Sequence, residues 1–190
     1  LQITSRLLDE LEREGLGTHR VRVLDDERML VRRLRIVPLE VVVRNRVAGS
    51  FARRYGLDEG APLPHALVEF FYKDDALHDP LVTSEAAAAL GWCSAVDLVR
   101  IRAFARQANE ILRAFLSPRG LELIDFKLEF GFAGDGALLL GDEISPDTCR
   151  LWDAETSDRL DKDRFRLDLG DVERAYREVL RRVESDPETA

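Results

Sequence analysis

Polar and apolar residues alternate along Asp125-Phe126-Lys127-Leu128-Glu129-Phe130-Gly131. In a strand, that alternation puts Asp125, Lys127 and Glu129 on one face and Phe126, Leu128 and Phe130 on the other. A short Gly-containing stretch, Gly131 to Gly136, is followed by the apolar run Ala137 to Leu140 and by Gly141-Asp142-Glu143. Residues 121–142 therefore predict a β-hairpin with one greasy and one charged face. At the start of the chain, Ile3, Leu7, Leu8 and Leu11 form one stripe of a helix over Ile3 to Glu14, and Gly15 suits the position just past its end. Val21–Asp25 and Met29–Leu34 predict a second hairpin around Asp25-Asp26-Glu27. Ile36-Val37-Pro38-Leu39 reads as a connector, because proline ends ladder pairing. Glu40 to Arg46 is a strand of β-branched residues, and Ala48-Gly49-Ser50 opens a short helix that closes at Gly56. A Gly/Pro-rich loop, Asp58 to Pro64, precedes a strand from Leu67 to Tyr72. Ser84 is placed to cap a short alanine-rich helix. The longest helix runs from Ser94 to Phe115, with Val96, Val99, Phe104, Ala108, Ile111, Leu112 and Phe115 on its buried stripe, and Ser117-Pro118-Arg119-Gly120 stops it. Asp161–Leu169 and Asp171–Val183 read as helices separated by Gly170, with a frayed tail from Glu184. Strands and helices intersperse without strict alternation, which makes the fold class α+β.

Composition narrows the partners. The chain of 190 residues is 45% hydrophobic and 34% charged, a globular balance. Its net charge of −8 argues against nucleic acid or an anionic membrane as a partner. No apolar run approaches membrane-spanning length. Cys93 and Cys149 are too few for a disulfide framework or a zinc cage and point to a reducing, cytoplasmic setting. His19, His65 and His78 show no metal-ligand spacing. Between Arg20 and Arg54, however, ten arginines face only Asp25, Asp26, Glu27 and Glu40. Such a surplus either receives anionic small molecules or decorates exposed strands. Of 28 basic residues only Lys73, Lys127 and Lys162 are lysine, and each sits among acids. Lysine is a compact point charge and arginine a planar fork, so a site that needs the first does not freely accept the second.

The charged face of the 121–142 hairpin has two readings. A lysine beside carboxylates is what a metal–nucleotide site needs, with acids for Mg²⁺ and an ammonium for phosphate oxygens. Cross-strand ion pairs on a solvated face would give the same pattern. Val43-Arg44-Asn45-Arg46-Val47-Ala48-Gly49-Ser50 leaves a strand and enters a helix, where free amides, a hydroxyl and arginines can cradle a phosphate. The loop Asp142 to Asp153 gathers acids, Arg150 and Trp152 where sites are commonly built.

The strings VVVRNRVAGSFARRYG, EFFYKDDALHDPLV, LIDFKLEFG, GDEISPDTCRLWD and LDKDRFRLDLG, in this order, resemble the phosphoribosylaminoimidazole-succinocarboxamide synthase (SAICAR synthetase) family and span most of the chain. The resemblance implies a kinase-like ATP cleft between a β-rich N-terminal lobe, here residues 1–39, and a larger α+β lobe, residues 40–190. It implies a carbon–nitrogen ligase of purine biosynthesis that uses ATP and Mg²⁺ to join L-aspartate to a carboxyaminoimidazole ribonucleotide through an acyl-phosphate, as a homodimer in many members. By similarity, Lys127, Glu129 and Asp142 meet Mg²⁺–ATP, and the backbone around Ile36 meets adenine. Arg44, Ser50 and Arg150 hold the ribonucleotide phosphate. Lys73 and Asp79 face the imidazole and aspartate, while Asp147 and Lys162 are further site positions. The family's Gly-Lys phosphate-covering segment has no match here, which implies an incomplete roof over the ATP site. That difference raises a second expectation, a non-catalytic remnant that keeps only the ribonucleotide pocket. A third is a phosphotransferase with another acceptor.

Overall fold

The strand Leu121–Phe132 (β6) is the one on which the others assemble. Along one edge it pairs with β3 (Arg35–Arg46). Along the other edge it pairs with β7 (Leu138–Gly141) through its second half and with β8 (Cys149–Asp153) through its first. β3 in turn pairs with β4 (Pro62–Tyr72), and β4 with β5 (Leu81–Val82). The result is a six-stranded antiparallel sheet in a computed structural model that describes residues 1–185. A separate two-stranded ribbon joins β1 (Arg20–Val23) to β2 (Met29–Val31), as the second hairpin pattern predicts. The mixed α and β content agrees with the expected class.

Alternation along β6 divides the sheet into two chemistries. Phe126, Leu128 and Phe130 are at most 1% exposed. With Leu39, Val41 and Val43 of β3 and Val68 and Phe70 of β4 they form the core. The helix α4 (Ala95–Leu116) covers this face, and Phe104 meets Phe130 edge-on at 5.1 Å. Each such side chain contributes roughly 1.5–3 kcal/mol by leaving water. α1 (Gln2–Arg13) packs on α4 and on α6 (Val172–Glu184), burying Leu7, Leu8 and Leu11. Gly15 ends α1 as expected. With φ +85° it lets Leu16 N–H reach Leu11 O at 2.9 Å and Gly15 N–H reach Glu12 O at 3.0 Å.

Several local expectations are corrected. Residues 36–39 are not a connector, because β3 runs through Pro38. The register shifts between Ile36 and Glu40, so no ladder bond is asked of the proline nitrogen, and Pro38 O still accepts Lys73 N–H at 3.1 Å. The expected lobe boundary at residues 39 and 40 lies within this strand. β4 begins at Pro62, inside the expected loop, opposite Arg46. Thr83, not Ser84, caps α3 (Ser84–Ala89) by accepting Ala86 N–H. On α4 the buried stripe is Leu98, Ile101, Ala105, Ala108 and Leu112, at alternating spacings of three and four. Val96 and Val99 fall off that stripe and are 71% and 70% exposed. The helix expected over 161–169 is a single turn, α5 (Asp163–Arg166). α6 matches its expectation through Val183 and ends at Glu184, and the rest of the predicted frayed tail lies outside the described residues.

Arg182 fastens α6 to the sheet. It donates to Gly120 O at 2.8 Å, to Asp153 at 2.6 Å and to Glu178 at 2.7 Å. Backbone donors led by Thr156, joined by Arg182, hold Asp153 down to about 2 against partial burial. Arg181 and then Arg182 bring Glu178 to about 2. A depressed carboxylate stabilises the fold above its ordinary range, and the contribution is lost as pH falls through the folded value. Arg182→Ala is expected to lower unfolding stability by about 2 kcal/mol at neutral pH. The difference from wild type should shrink as pH falls from about 4 toward about 2. Urea titrations of both proteins across that range check this.

Candidate active site

The second sheet face carries charge, and most of that charge is buried. Directly opposed residues of an antiparallel pair share a face. The register therefore aligns Phe71, Glu40, Glu129 and Gly141 in one row. Glu69, Val42 and Lys127 form the next, and Leu67, Arg44, Asp125 and Arg150 the third. Asp125, Glu129, Arg44 and Glu69 are each at most 7% exposed. A solvated face decorated with ion pairs does not describe this arrangement.

Two cationic centres stand on that face. Lys127 Nζ lies 3.2 Å from Glu40, 3.0 Å from Glu129 and 3.4 Å from Asp142. Lys73 closes on the other side of Glu129, at 2.6 and 2.7 Å from its two oxygens. Burial alone would lower the Lys127 value, but the Glu129 hydrogen bond and the surrounding carboxylates outweigh it, so the ammonium is held above its ordinary range. Burial would raise Glu129, and hydrogen bonds from Lys73 and Lys127 bring it below the usual carboxylate range. The second centre belongs to the arginines. Arg44 donates Nε to Glu69 at 2.6 Å, Nη1 to Asp125 at 2.7 Å and Nη2 to Ser50 at 3.4 Å. Arg150 donates Nη1 to both oxygens of Asp125, at 3.0 and 2.8 Å, and Nε to Asp163 at 2.6 Å. Burial opposes the Arg150 charge, but Asp125 and Asp163 raise its value, so it stays a cation.

Two turns present further acids. His78 and Asp79 are consecutive left-handed residues, with φ of 57° and 45°. Asp79 N–H donates to Asp74 O at 3.2 Å, and Asp79 Oδ1 accepts Asp74 N–H at 2.9 Å. Asp142 is also left-handed, with φ +63°. Aspartate tolerates this region better than most residues, though at a cost, and such strain concentrates at functional sites.

A cleft of about 290 Å³ is lined by Arg44, Ser50, Asp79, Lys127, Arg150 and Lys162, among others. Glu129 and Asp142 adjoin it through Lys127, and Lys73 through Glu129. Ile36 lies elsewhere, 43% exposed near the start of β3 and close to Gly141. Asp147 is exposed and accepts the Tyr176 hydroxyl of α6 at 2.6 Å, a loop anchor rather than a lining group. Glu143 is exposed and its carbonyl takes the Thr148 hydroxyl at 3.3 Å. The expected cradle of free amides at α2 (Gly49–Tyr55) is reduced, because Gly49 N–H is taken by Glu59 at 2.9 Å and Phe51 N–H by Ala48 O at 3.2 Å. Gly49 has another role there. Its φ is +56°, and an added Cβ would lie 2.3 Å from Arg150 Nη2, so the guanidinium lies flat against bare backbone.

Sequence reading left out Glu40, Glu69 and Asp163 as site residues. Glu69 and Asp163 hold the two arginines, and their partners lie 25 and 13 residues away. The signal for Glu40 was available, since it lies on a strand whose alternate residues, Val42 and Arg44, share its face. Burial pushes the Cys149 thiol up to about 12, so it stays protonated at the cleft wall. Among the described residues, no group of three or more His, Cys, Asp and Glu side chains is arranged to enclose a metal ion, and no helix is long and apolar enough to cross a membrane.

Comparison with known proteins identifies the family and its fold. The phosphoribosylaminoimidazole-succinocarboxamide synthase of Deinococcus deserti is 52% identical over 95% of this chain and 76% of its own length. A SAICAR synthetase solved in complex with ADP superposes with a TM-score of 0.94 at 46% identity, covering 97% of this chain and 79% of that one. The SAICAR synthetase of Pyrococcus horikoshii OT3 gives 0.93 at 46% identity, over 97% and 81%. With the family model for SAICAR synthetase matching residues 1–183, the chain belongs to the SAICAR synthetase family, ligases of purine biosynthesis.

Proposed function

We propose that this chain joins L-aspartate to the carboxylate of a carboxyaminoimidazole ribonucleotide at the expense of ATP, through an acyl-phosphate. The observation that carries this reading is the placement of two cationic centres on one sheet face. Asp125, which holds the arginines, and Lys127 are two residues apart on β6, so the centres lie roughly 7 Å apart along the strand. One centre suits the phosphates of a nucleotide and the other the phosphate of a ribonucleotide, with both substrates held in one cleft. The relative solved with ADP supports nucleotide binding here.

In this reading the Lys127 ammonium meets the transferring phosphoryl oxygens, and Lys73 fixes Glu129 beside it. Arg44, Ser50 and Arg150 receive the ribonucleotide phosphate with charged donors. Lys73 and Asp79 face the imidazole and the aspartate. The backbone around Ile36 meets the base, with residues 1–39 supplying one wall of the nucleotide cleft. Magnesium keeps most of its waters and needs only one or two carboxylates beside phosphate oxygens. Glu129 and Asp142, both facing Lys127, are the residues that would hold it. When bound, the ion supplies neutralisation of phosphate charge. The unpaired thiols Cys93 and Cys149 suit a cytoplasmic setting.

The test is ADP release that depends on both L-aspartate and the imidazole ribonucleotide. Release that ignores either one overturns the assignment. Lys127→Ala is expected to lower kcat/KM for ATP by roughly 10²–10³, the cost of one preorganised charged contact, about 2.7–4 kcal/mol. Gly49→Ala keeps every charge but pushes the Arg150 guanidinium away from the backbone. It should raise KM for the ribonucleotide about tenfold, the worth of one charged hydrogen bond, and leave KM for ATP unchanged in initial-rate measurements. A change in the ATP constant alone would move the phosphate pocket elsewhere.

A further inference from the structure

We propose that Asp161 positions Arg150 for the ribonucleotide phosphate by fixing the backbone on both sides of the Arg150–Asp163 ion pair, an inference that rests on the phosphate pocket proposed above. Asp161 is fully buried in the bend before α5. Its Oδ2 accepts Leu151 N–H at 2.9 Å, and its Oδ1 accepts Asp163 N–H at 2.8 Å. One carboxylate thus joins β8, at the residue after Arg150, to the first residue of α5. Leu160 N–H donates to Leu151 O at 2.8 Å, so this segment holds both backbone groups of Leu151. Lys162 N–H donates to Pro146 O at 3.0 Å, and Arg164 N–H to Asp161 O at 3.1 Å. Every residue from Leu160 to Arg164 is tied down by a hydrogen bond.

What these anchors hold in place is one guanidinium. Asp163 Oδ2 takes Arg150 Nε at 2.6 Å, and the two oxygens of Asp125 take Nη1 at 3.0 and 2.8 Å. The two acids fix the plane of the fork and leave Nη2 against the bare backbone of Gly49. Rotation of the α5 turn would swing Asp163, and that plane with it. Among the described residues, no guanidinium or ammonium lies within 4.0 Å of the Asp161 carboxylate, so backbone N–H groups meet its charge. Burial pushes the carboxyl up to about 6 against those donors. A carboxyl raised above its unfolded value of about 4 costs the fold stability as pH rises through that interval. An apolar side chain would remove the cost but leave two buried N–H groups without acceptors. A carboxylate takes both at once, whereas an amide accepts one and turns its NH₂ on the other.

The experiment measures initial rates for wild type, Asp161→Asn, Arg150→Lys and the double variant. Asp161→Asn keeps the side chain's shape but sets a donor against one of the two N–H groups. It should raise KM for the ribonucleotide about tenfold, the worth of one charged hydrogen bond, and leave kcat and the KM values for ATP and L-aspartate unchanged. A purely structural role would lower kcat through loss of folded enzyme and leave the ribonucleotide KM where it is, and that result overturns the proposal. The Arg150→Lys side chain has no fork for Asp163 to orient, so adding Asp161→Asn to it should raise KM no further. Losses that multiply in full in the double variant would show Asp161 acting by another route, and the proposal fails. If Asp161→Asn does not yield folded protein, Asp163→Asn takes its place in the same cycle, with the same expected rise and the same grounds for rejection, since Asp161 acts through it. An unchanged ribonucleotide KM in Arg150→Lys would instead reject the phosphate pocket itself, a result distinct from the other two.

Discussion

The buried carboxylate of Asp125 is the constraint on which the site depends. It is 3% exposed. An isolated ionised acid there would be prohibitive, so its charge has to be met in place. Two guanidiniums meet it, Arg44 from the neighbouring strand on one side and Arg150 from the strand on the other. Each arginine in turn needs a second acid, and Glu69 and Asp163 supply them. The chain of pairs spans β4, β3, β6, β8 and α5. Removing any one member leaves its buried neighbours with one partner fewer rather than none, because Asp125 has two arginines, each arginine has two acids, and Glu69 also accepts Arg54 at 2.9 Å. The network is better understood as a device that fixes geometry than as one that stabilises the fold.

That device works because core and site share one strand. Phe126, Leu128 and Phe130 are locked among α4 and the inner residues of β3 and β4. The intervening Asp125, Lys127 and Glu129 have no freedom to change face, since a one-residue slip would expose the phenylalanines and bury the charges against α4. The hydrophobic core therefore sets the position of the cations on the opposite face. Bulges carry the adjustments. One in the β6–β8 pairing falls between Leu123 and Asp125 and brings Arg150 opposite Asp125. Another in β3 absorbs Pro38.

Alternation along residues 125–130, the stripe of α1 and the Gly15 terminus were legible in the sequence because each is a local property of a few consecutive residues. Val96 and Val99 were misplaced for the same reason. They are apolar at helical spacing, but which face of α4 meets the sheet is decided by Leu98, Ile101 and Ala105 together. Pro38 read as a stop because only a partner strand with shifted register can accommodate it. Lys127, Arg44, Ser50 and Arg150, expected together from the sequence, line one cleft, whereas Glu69 and Asp163 were not anticipated. Identifying them requires knowing which strand lies beside which, and sequence spacing does not encode this. The Gly49 amide was expected to be free because nothing in Ala48-Gly49-Ser50 announces that Glu59 returns to take its N–H.

The division of labour between the two cationic residue types follows from the same physics. Arg44 and Arg150 use their forks to bridge acids on different strands, a task for planar groups with several fixed donors. The two lysines around Glu129 are point charges, and Lys127 on β6 and Lys73, just past the end of β4, approach one carboxylate without needing a plane. A point charge on a flexible stem can follow a phosphoryl group as it moves between donor and acceptor. A guanidinium committed to two carboxylates cannot. In the proposed reading, arginine therefore suits the part of the cleft where a phosphate is held still, and lysine suits the part where a phosphoryl group is in transit. Three lysines among 28 basic residues, all at or beside one cleft, fit that division.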